Sequence, residues 1–336
     1  MNLSLEYIER CSAETGFQAA SLEKVARLGE LAADIAKHPF LGGRLALKGG
    51  TALNLCFGPP MRLSVDLDFN YIGHIEREKM LEDRPTVEGA LADLARRRGY
   101  KVQQSADAFA GRKLYLRYRS VLGQDERIEV DLNFIFRVPL AGVEMYHLWQ
   151  PGDLDRPRVR AVGLMELVIG KLLALLDRGA IRDVWDVANF SASAVDIMES
   201  RLFRPRFIAL AAILEHPLST YHRDRLESRI TDVVIAERLA PLLARGLSQN
   251  ARELIERAWT RVDVFLRLAP REEEYITGIN KGEMLSELLF PDEPDETARF
   301  ASHPAILWKL SNVCAYLMRT KIVQKDHNPL SGKSEG

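Results

Sequence analysis

The chain has 336 residues, 47% of them hydrophobic and 28% charged, and 46 Lys and Arg against 47 Asp and Glu leave a formal net charge of -1. Such a length allows two domains. The composition excludes disorder over most of the chain, a collagen-like or coiled-coil polymer and a globally basic nucleic-acid binder, while leaving room for a local basic patch.

In chain order, MNLSLEYIERCSAETG carries acids early and no apolar core, so no secretory leader is expected. Residues 20–37 place Leu22, Val25, Leu28 and Leu31 at helical spacing. Arg44 to Leu47 reads as a strand ending in Gly49-Gly50, Thr51 to Phe57 as a helix, and the alternating Val65 to Tyr71 as a strand. A helix is expected over Pro85 to Arg98, with proline near its first turn. Strands follow at Tyr100 to Gln104, Lys113 to Arg119, Arg127 to Ile135 and Arg158 to Val162, with a hairpin turn at Gly123 and Asp125.

After residue 163 the pattern turns helical: Leu164 to Leu176, Ile181 to Phe190, Phe203 to Leu214 and Asp224 onward. The expectation is an α+β fold, with a mixed-sheet domain over 1–162, a helical domain over 163–324 and a disordered tail over 325–336. Pro291 to Glu296 reads as an acidic surface loop, and Trp259 and Trp308 as core. The most apolar stretch, Ala161 to Leu176, is broken by Glu166 and Lys171 and falls short of the ~20 apolar residues of a membrane span. Cys11, Cys56 and Cys314 are too few and too scattered for a disulfide framework or a CxxC metal site, which suits a reducing cytoplasm. The seven histidines show no HxH or HExxH spacing, and Ser64 has no GxSxG context.

Chemistry concentrates in three segments. In Val65-Asp66-Leu67-Asp68-Phe69-Asn70, Asp66, Asp68 and Asn70 share one strand face. Two carboxylates so close repel each other, and a hard divalent cation such as Mg²⁺ would relieve that. A bare DxD is more often a solvated strand face. A second alternating segment, Arg127 to Phe134, puts Glu129, Asp131 and Asn133 on one face. If the two strands are neighbours, Asp131 joins Asp66 and Asp68 as the third carboxylate of a two-metal phosphoryl-transfer site, with Glu129 its rival. The third segment, Lys48-Gly49-Gly50-Thr51, ends a strand in glycines and opens a helix at a hydroxyl, which suits a phosphate but is also a simple turn and cap.

LKGGTALNLCFGPPMRLSVDLDFNY resembles the signature of the AbiEii/AbiGii toxin-type nucleotidyltransferases, a branch of the polymerase-beta-like superfamily. Gly50-Thr51 stands where that superfamily has Gly-Ser, Arg62 and Ser64 fit its R-x-S-x-D-x-D run, and Asp131 matches its later carboxylate. Lys171, Ala174, Arg178, Arg182, Asp183 and Asp186 match a K-x-x-A-x-x-x-R-x-x-x-R-D-x-x-D stretch. The resemblance covers roughly residues 45–72 and 127–190. It implies catalytic Asp66, Asp68, Asp131 and Lys171, with the three aspartates as metal ligands for Mg²⁺ or Mn²⁺. It also implies a nucleotide-binding set of Lys48, Gly49, Gly50, Thr51, Arg62, Ser64, Arg178 and Asp183. Lys171 would neutralise the triphosphate of an NTP, and Arg178 and Arg182 would do the same or contact the partner strand. Asp183 and Asp186 would anchor these bases or help bind metal.

Between the motifs, Arg96, Arg97, Arg98, Lys101, Arg112, Lys113, Arg117 and Arg119 are accompanied by a single acid, Asp107, and interleaved with Tyr115 and Tyr118. All but Lys101 stand as candidates for RNA contact, although a charge run alone is as readily a solvated face. The leading expectation is an Mg²⁺-dependent nucleotidyltransferase acting on an acceptor hydroxyl. From the resemblance come the tRNA 3′ end as acceptor, a toxin's part in a toxin–antitoxin or abortive-infection pair, and a cognate antitoxin encoded nearby. A metal-dependent phosphohydrolase or nuclease using the same acids, and a non-catalytic regulator with an idle site, are the alternatives.

Overall fold

The computed structural model describes residues 3–247 and 249–326. Its elements are α1 (Leu5–Thr15), α2 (Ala19–Lys37), β1 (Leu45–Lys48), α3 (Gly49–Leu55), β2 (Asp66–Tyr71), α4 (Arg77–Arg97), β3 (Lys101–Gln104), β4 (Gly111–Arg119), β5 (Asp125–Asn133), β6 (Val143–His147) and β7 (Arg158–Val162). Helices follow: α5 (Leu164–Asp177), α6 (Ile181–Ala188), α7 (Ala192–Met198), α8 (Phe203–Ala211), α9 (Asp224–Glu227), α10 (Asp232–Arg238), α11 (Ala251–Leu266), α12 (Pro270–Lys281), α13 (Pro294–Ala301) and α14 (Pro304–Asp326).

The strands form one mixed sheet in the order β3-β4-β5-β2-β1-β7-β6. β2 runs parallel to β5 and antiparallel to β1, and β4 is antiparallel to both β3 and β5. Strand alternation sorts the side chains. Leu67, Phe69, Leu114, Leu116, Ile128, Val130 and Leu132 are buried in one cluster with Leu22, Val25 and Leu28 of α2 and Val87, Leu91 and Ala95 of α4. The polar residues between them face the other way. A second cluster is built by α5 onward, and α5 joins the two: Leu167 belongs to the sheet cluster and Val168 to the helical one.

Several boundaries depart from the expectations. α1, unforeseen, is capped by the Ser4 side chain at Tyr7 N and closed by Gly16 at φ 75°. α4 begins at Arg77, so Pro85 lies inside the helix and not at its start. Arg84, just before that proline, is held by Glu88 and Asp107 at 2.8 and 2.6 Å. Pro291 to Glu296 is not simply a surface loop. Pro294 starts α13, a position where its missing N–H costs nothing, and Glu296 turns inward to pair with the buried Arg206 at 2.7 and 2.8 Å. Trp259 packs partly buried against the helical core, but Trp308 is 39% exposed. Of the expected tail, residues 325 and 326 end α14 and residues 327–336 lie outside the described residues.

Removing one partner of a buried charge pair leaves the other unmatched. Glu296→Ala is therefore expected to lower unfolding stability by about 3–5 kcal/mol in a denaturant titration.

Candidate active site

The register of four strands composes the site. Lys48, Asp68, Asp131 and Lys113 stand side by side across β1, β2, β5 and β4. The next row holds Asp66, Glu129, Tyr115 and Gln103. The row beyond holds Arg127, Arg117 and Lys101. Adjacent strands in register share a face, so all these side chains sit on the face opposite the core. Asp131, not Glu129, is level with Asp68; Glu129 pairs with Arg127 at 2.7 Å. A cavity of about 780 Å³ opens here, lined by Asp66, Asp68, Asp131, Gly49, Gly50 and Lys171 among others.

The glycine turn makes close contact with the acids. Gly49 opens α3 at φ +70°, and a Cβ there would fall 2.3 Å from Asp68 Oδ2. A Cβ on Gly50 would fall 2.9 Å from Ser64 Oγ and 3.2 Å from an Arg62 nitrogen. Thr51 departs from its expected contact with phosphate. It is fully buried, and its hydroxyl donates to the Asp66 carbonyl, so it ties α3 to β2. The hydroxyl is satisfied internally because the helix starts two residues earlier than expected.

An ionic cluster forms part of the cavity wall: Arg62, Lys171, Arg178 and Asp183 line the cavity, and Asp186 lies buried behind them. Arg62 donates to both oxygens of Asp186 at 2.9 and 2.8 Å, and Asn54 donates to Asp186 at 3.2 Å. Lys171 lies 2.7 Å from Asp186 and 3.0 Å from Asp183. Arg178 clamps Asp183 at 2.6 and 3.0 Å. Burial acts to raise the Asp186 carboxyl, but the Arg62 and Lys171 charges outweigh it and bring it from 3.8 down to about 2. Asp183 is lowered likewise, against burial, by Arg178 and Lys171. Arg62 and Lys171 thus pair with Asp183 and Asp186 while also lining the cavity, and the two aspartates anchor them there.

The three aspartates share one face without forming a tight cluster. Asp66 pairs with Arg182 at 2.8 Å and Asp131 with Lys113 at 3.2 Å. Among the described residues no three His, Cys, Asp or Glu side chains are gathered to hold a metal ion. The expected triad is set by backbone register, while opposite charges turn two of its side chains aside. Among the described residues Asp68 has no hydrogen bond or ion pair; burial, then the charges of Asp131 and Asp66, push its carboxyl up against the pull of Lys48 and Lys171. Three hard-oxygen donors with unrelieved negative charge at the central one fit a divalent cation.

The basic stretch is divided by the sheet. Lys113, Arg117 and Arg119 lie on the carboxylate face, where Arg119 pairs with Asp125 at 3.2 Å. Arg96 and Arg97 lie on α4 and Arg98 caps its end, on the core side; Arg96 pairs with Asp93 at 2.7 Å and Arg98 with Asp34 of α2. Arg112 turns to Glu88 of α4 at 3.0 Å. Sequence reasoning assigned no part to Glu166, which accepts from Asn70 at 3.1 Å and from Leu140 N at 2.8 Å and lines the cavity. Burial raises its carboxyl to about 7. Its place on the amphipathic α5, four residues before Gly170, was the available signal.

A carboxylate-bearing mixed sheet with a glycine turn at its cavity is the layout of a nucleotidyltransferase. A family model described as "Nucleotidyl transferase AbiEii toxin, Type IV TA system" matches residues 31–263. The chain belongs to this family of nucleotidyltransferase toxins of type IV toxin–antitoxin systems, a membership that implies a cognate antitoxin. Among solved structures it is similar to MenT4, a nucleotidyltransferase toxin of Mycobacterium tuberculosis H37Rv, at 22% identity and a TM-score of 0.58, covering 82% of this chain and 94% of that one. At that identity the likeness speaks for the fold. An antigenic nucleotidyltransferase-like protein of Paracoccidioides brasiliensis matches at 15% identity and a TM-score of 0.32, over 55% of this chain and 76% of that one, and nothing rests on it. No curated protein matches the chain. Among the described residues no helix is long and apolar enough to cross a membrane.

Gly49→Ala is expected to displace Asp68 and to cost about 1–2 kcal/mol for the left-handed backbone, read as a lower unfolding midpoint together with lost transfer activity. Asp186→Ala, which leaves Arg62 and Lys171 short of a buried partner, is expected to cost about 3–5 kcal/mol in denaturant unfolding. Because the folded Asp186 carboxyl lies below its unfolded value of 3.8, its contribution is full above that value and is lost as pH falls through about 2. The wild type should therefore lose stability between about pH 4 and 2, and Asp186→Ala should lose less over that window.

Proposed function

We propose that this enzyme transfers a nucleoside monophosphate from an NTP to a hydroxyl of an RNA acceptor, the tRNA 3′ end foremost, and releases pyrophosphate. The observation that carries this reading is the register of Asp68 with Asp131, with Asp66 two positions along β2, on the wall of a cavity that also holds Gly49 and Gly50. Asp66, Asp68 and Asp131 would hold Mg²⁺ or Mn²⁺. When bound, the metal neutralises phosphate charge and polarises the phosphoryl group.

The protein's own groups do the rest. The glycine turn lets phosphate approach the backbone of α3. Arg178, its side chain 64% exposed, and Arg182, 43% exposed, supply positive charge to the triphosphate. Lys171 and Arg62 hold α5, α6 and the loop before β2 in place from the cavity wall. Asp131, oriented by Lys113, accepts the proton of the acceptor hydroxyl. That oxygen attacks the α-phosphorus, and the bond to the bridging oxygen of pyrophosphate breaks. Catalysis is then positioning and electrostatics. The row of Lys101, Arg117 and Arg127 beyond the acids suits the acceptor's phosphates. Residues 1–162 would carry the chemistry and 163–324 would close the cavity over it, in the cytoplasm where NTP and tRNA meet.

The test is label transfer from each α-³²P NTP, with Mg²⁺, into total tRNA. The wild type should label tRNA, and Asp66→Ala should lose the label by at least about a hundredfold while unfolding at the wild-type temperature. Free phosphate or cut RNA in place of labelled tRNA would assign the site to hydrolysis, and label that survives in Asp66→Ala would remove the acids from the reaction.

A further inference from the structure

The cavity is longer than its charged end. α5 runs along it, presenting Glu166, Gly170, Ala174 and Asp177 at helical spacing. Past Gly170 the wall gains apolar side chains, Leu173 of α5 and Leu210, Ile213 and Leu214 at and just after the end of α8, set among the charged Asp177, Glu215 and Lys309. α14 closes this end. Lys309 donates to the Leu214 carbonyl at 2.7 Å, which pins α14 to the end of α8, and Trp308 and Asn312 reach the same cavity, both exposed.

Two observations mark the cavity beyond its acids as a place for a ligand. Gly170 sits in mid-helix, exposed, and a Cβ there would meet nothing within 4 Å. Packing therefore gives no reason for glycine at a position where it weakens the helix. A flat group lying on the α5 backbone does give one. Secondly, His303, fully buried, lines the cavity beside Phe136, and its Nδ1 accepts from Ala305 N. Burial keeps the ring neutral, with its pKa down near 4. The proton is therefore on Nε2, which among the described residues has no partner besides the Val138 backbone.

Resting on the nucleotidyl-transfer reading, we infer that the apolar end of the cavity between α5 and α14 is the nucleobase subsite. The base lies on the Gly170 and Ala174 backbone under Trp308, and Asn312 reads its polar edge. An aromatic face, an apolar floor and a few polar groups are what a flat heterocycle requires. α14 lies outside residues 31–263, the segment matched by the family model. The choice among NTPs is then made by an element that the family pattern does not include.

The test is calorimetric titration of the full chain, with Mg²⁺ and no acceptor, by ATP, GTP, CTP, UTP and inorganic tripolyphosphate. The wild type should bind its preferred NTP at least about tenfold more tightly than tripolyphosphate. Gly170→Leu and Trp308→Ala should abolish that advantage and leave tripolyphosphate affinity within about twofold. Asn312→Ala should change the ranking of the four NTPs. If Gly170→Leu does not fold, Trp308→Ala and Asn312→Ala decide the matter. Variants that keep the advantage, or that weaken NTP and tripolyphosphate alike, overturn the subsite. A wild type that binds NTP no better than tripolyphosphate overturns it too, while the phosphate site stands. A wild type that binds neither overturns the transfer reading itself and the subsite with it.

Discussion

The two halves of this molecule are joined by a cluster of charges that none of its members can leave without leaving another unmatched. Asp186 is shared by Arg62, from the loop ahead of β2, and by Lys171 of α5. Asp183 is shared by Lys171 and Arg178. Charges removed from water are tolerated only when paired and hydrogen-bonded. The placement of α5 and α6 against the sheet is therefore close to all-or-none. Asn54 carries the same constraint into α3, where it also donates to the Gly50 carbonyl at 2.9 Å. The glycine turn, the first carboxylate strand and the helical wall are thus held relative to one another by a single set of ion pairs.

In front of that cluster the electrostatics are deliberately unbalanced. Two aspartates lie between two lysines in one row, with a third aspartate and Glu129 in the next. Arg182 and Lys113 each neutralise one carboxylate, and Asp68, between them, has no such partner among the described residues. A site of this kind accepts added positive charge at its centre and added negative charge at its rim, which is what a metal-bound polyphosphate brings. The sheet itself separates this face from the basic end of α4, so the electropositive surface near the acids is narrower than the run of Arg and Lys suggests.

Alternation made the two carboxylate strands legible in the amino-acid order, because a period of two leaves Asp66, Asp68 and Asp131 no choice of face once one side of the strand is buried. Other residues followed rules that act at a distance. Thr51 found a backbone carbonyl fifteen residues on in place of a ligand. Glu296 sits in a stretch whose composition is that of a loop, but it answers the buried charge of Arg206, ninety residues away. Trp308 looks like core from its apolar neighbours and instead faces the cavity, since α14 is fixed by Lys309 to the end of α8. Pro85 within α4 is tolerated where a local rule would start the helix there.

By itself the order of amino acids determined the period of each strand and helix, the change from mixed sheet to helices after residue 163, and the family to which the glycine turn and the DxD strand belong. These follow from local geometry, in which a side chain's face is dictated by its neighbours along the chain. Only the tertiary structure decided which charges pair with each other at the cavity. Lys171, Arg62, Asp183 and Asp186 have the same residue types whether they bind phosphate or one another. Their pairing depends on distances across α5, α6 and the loop before β2, and those distances come into being only when the chain packs.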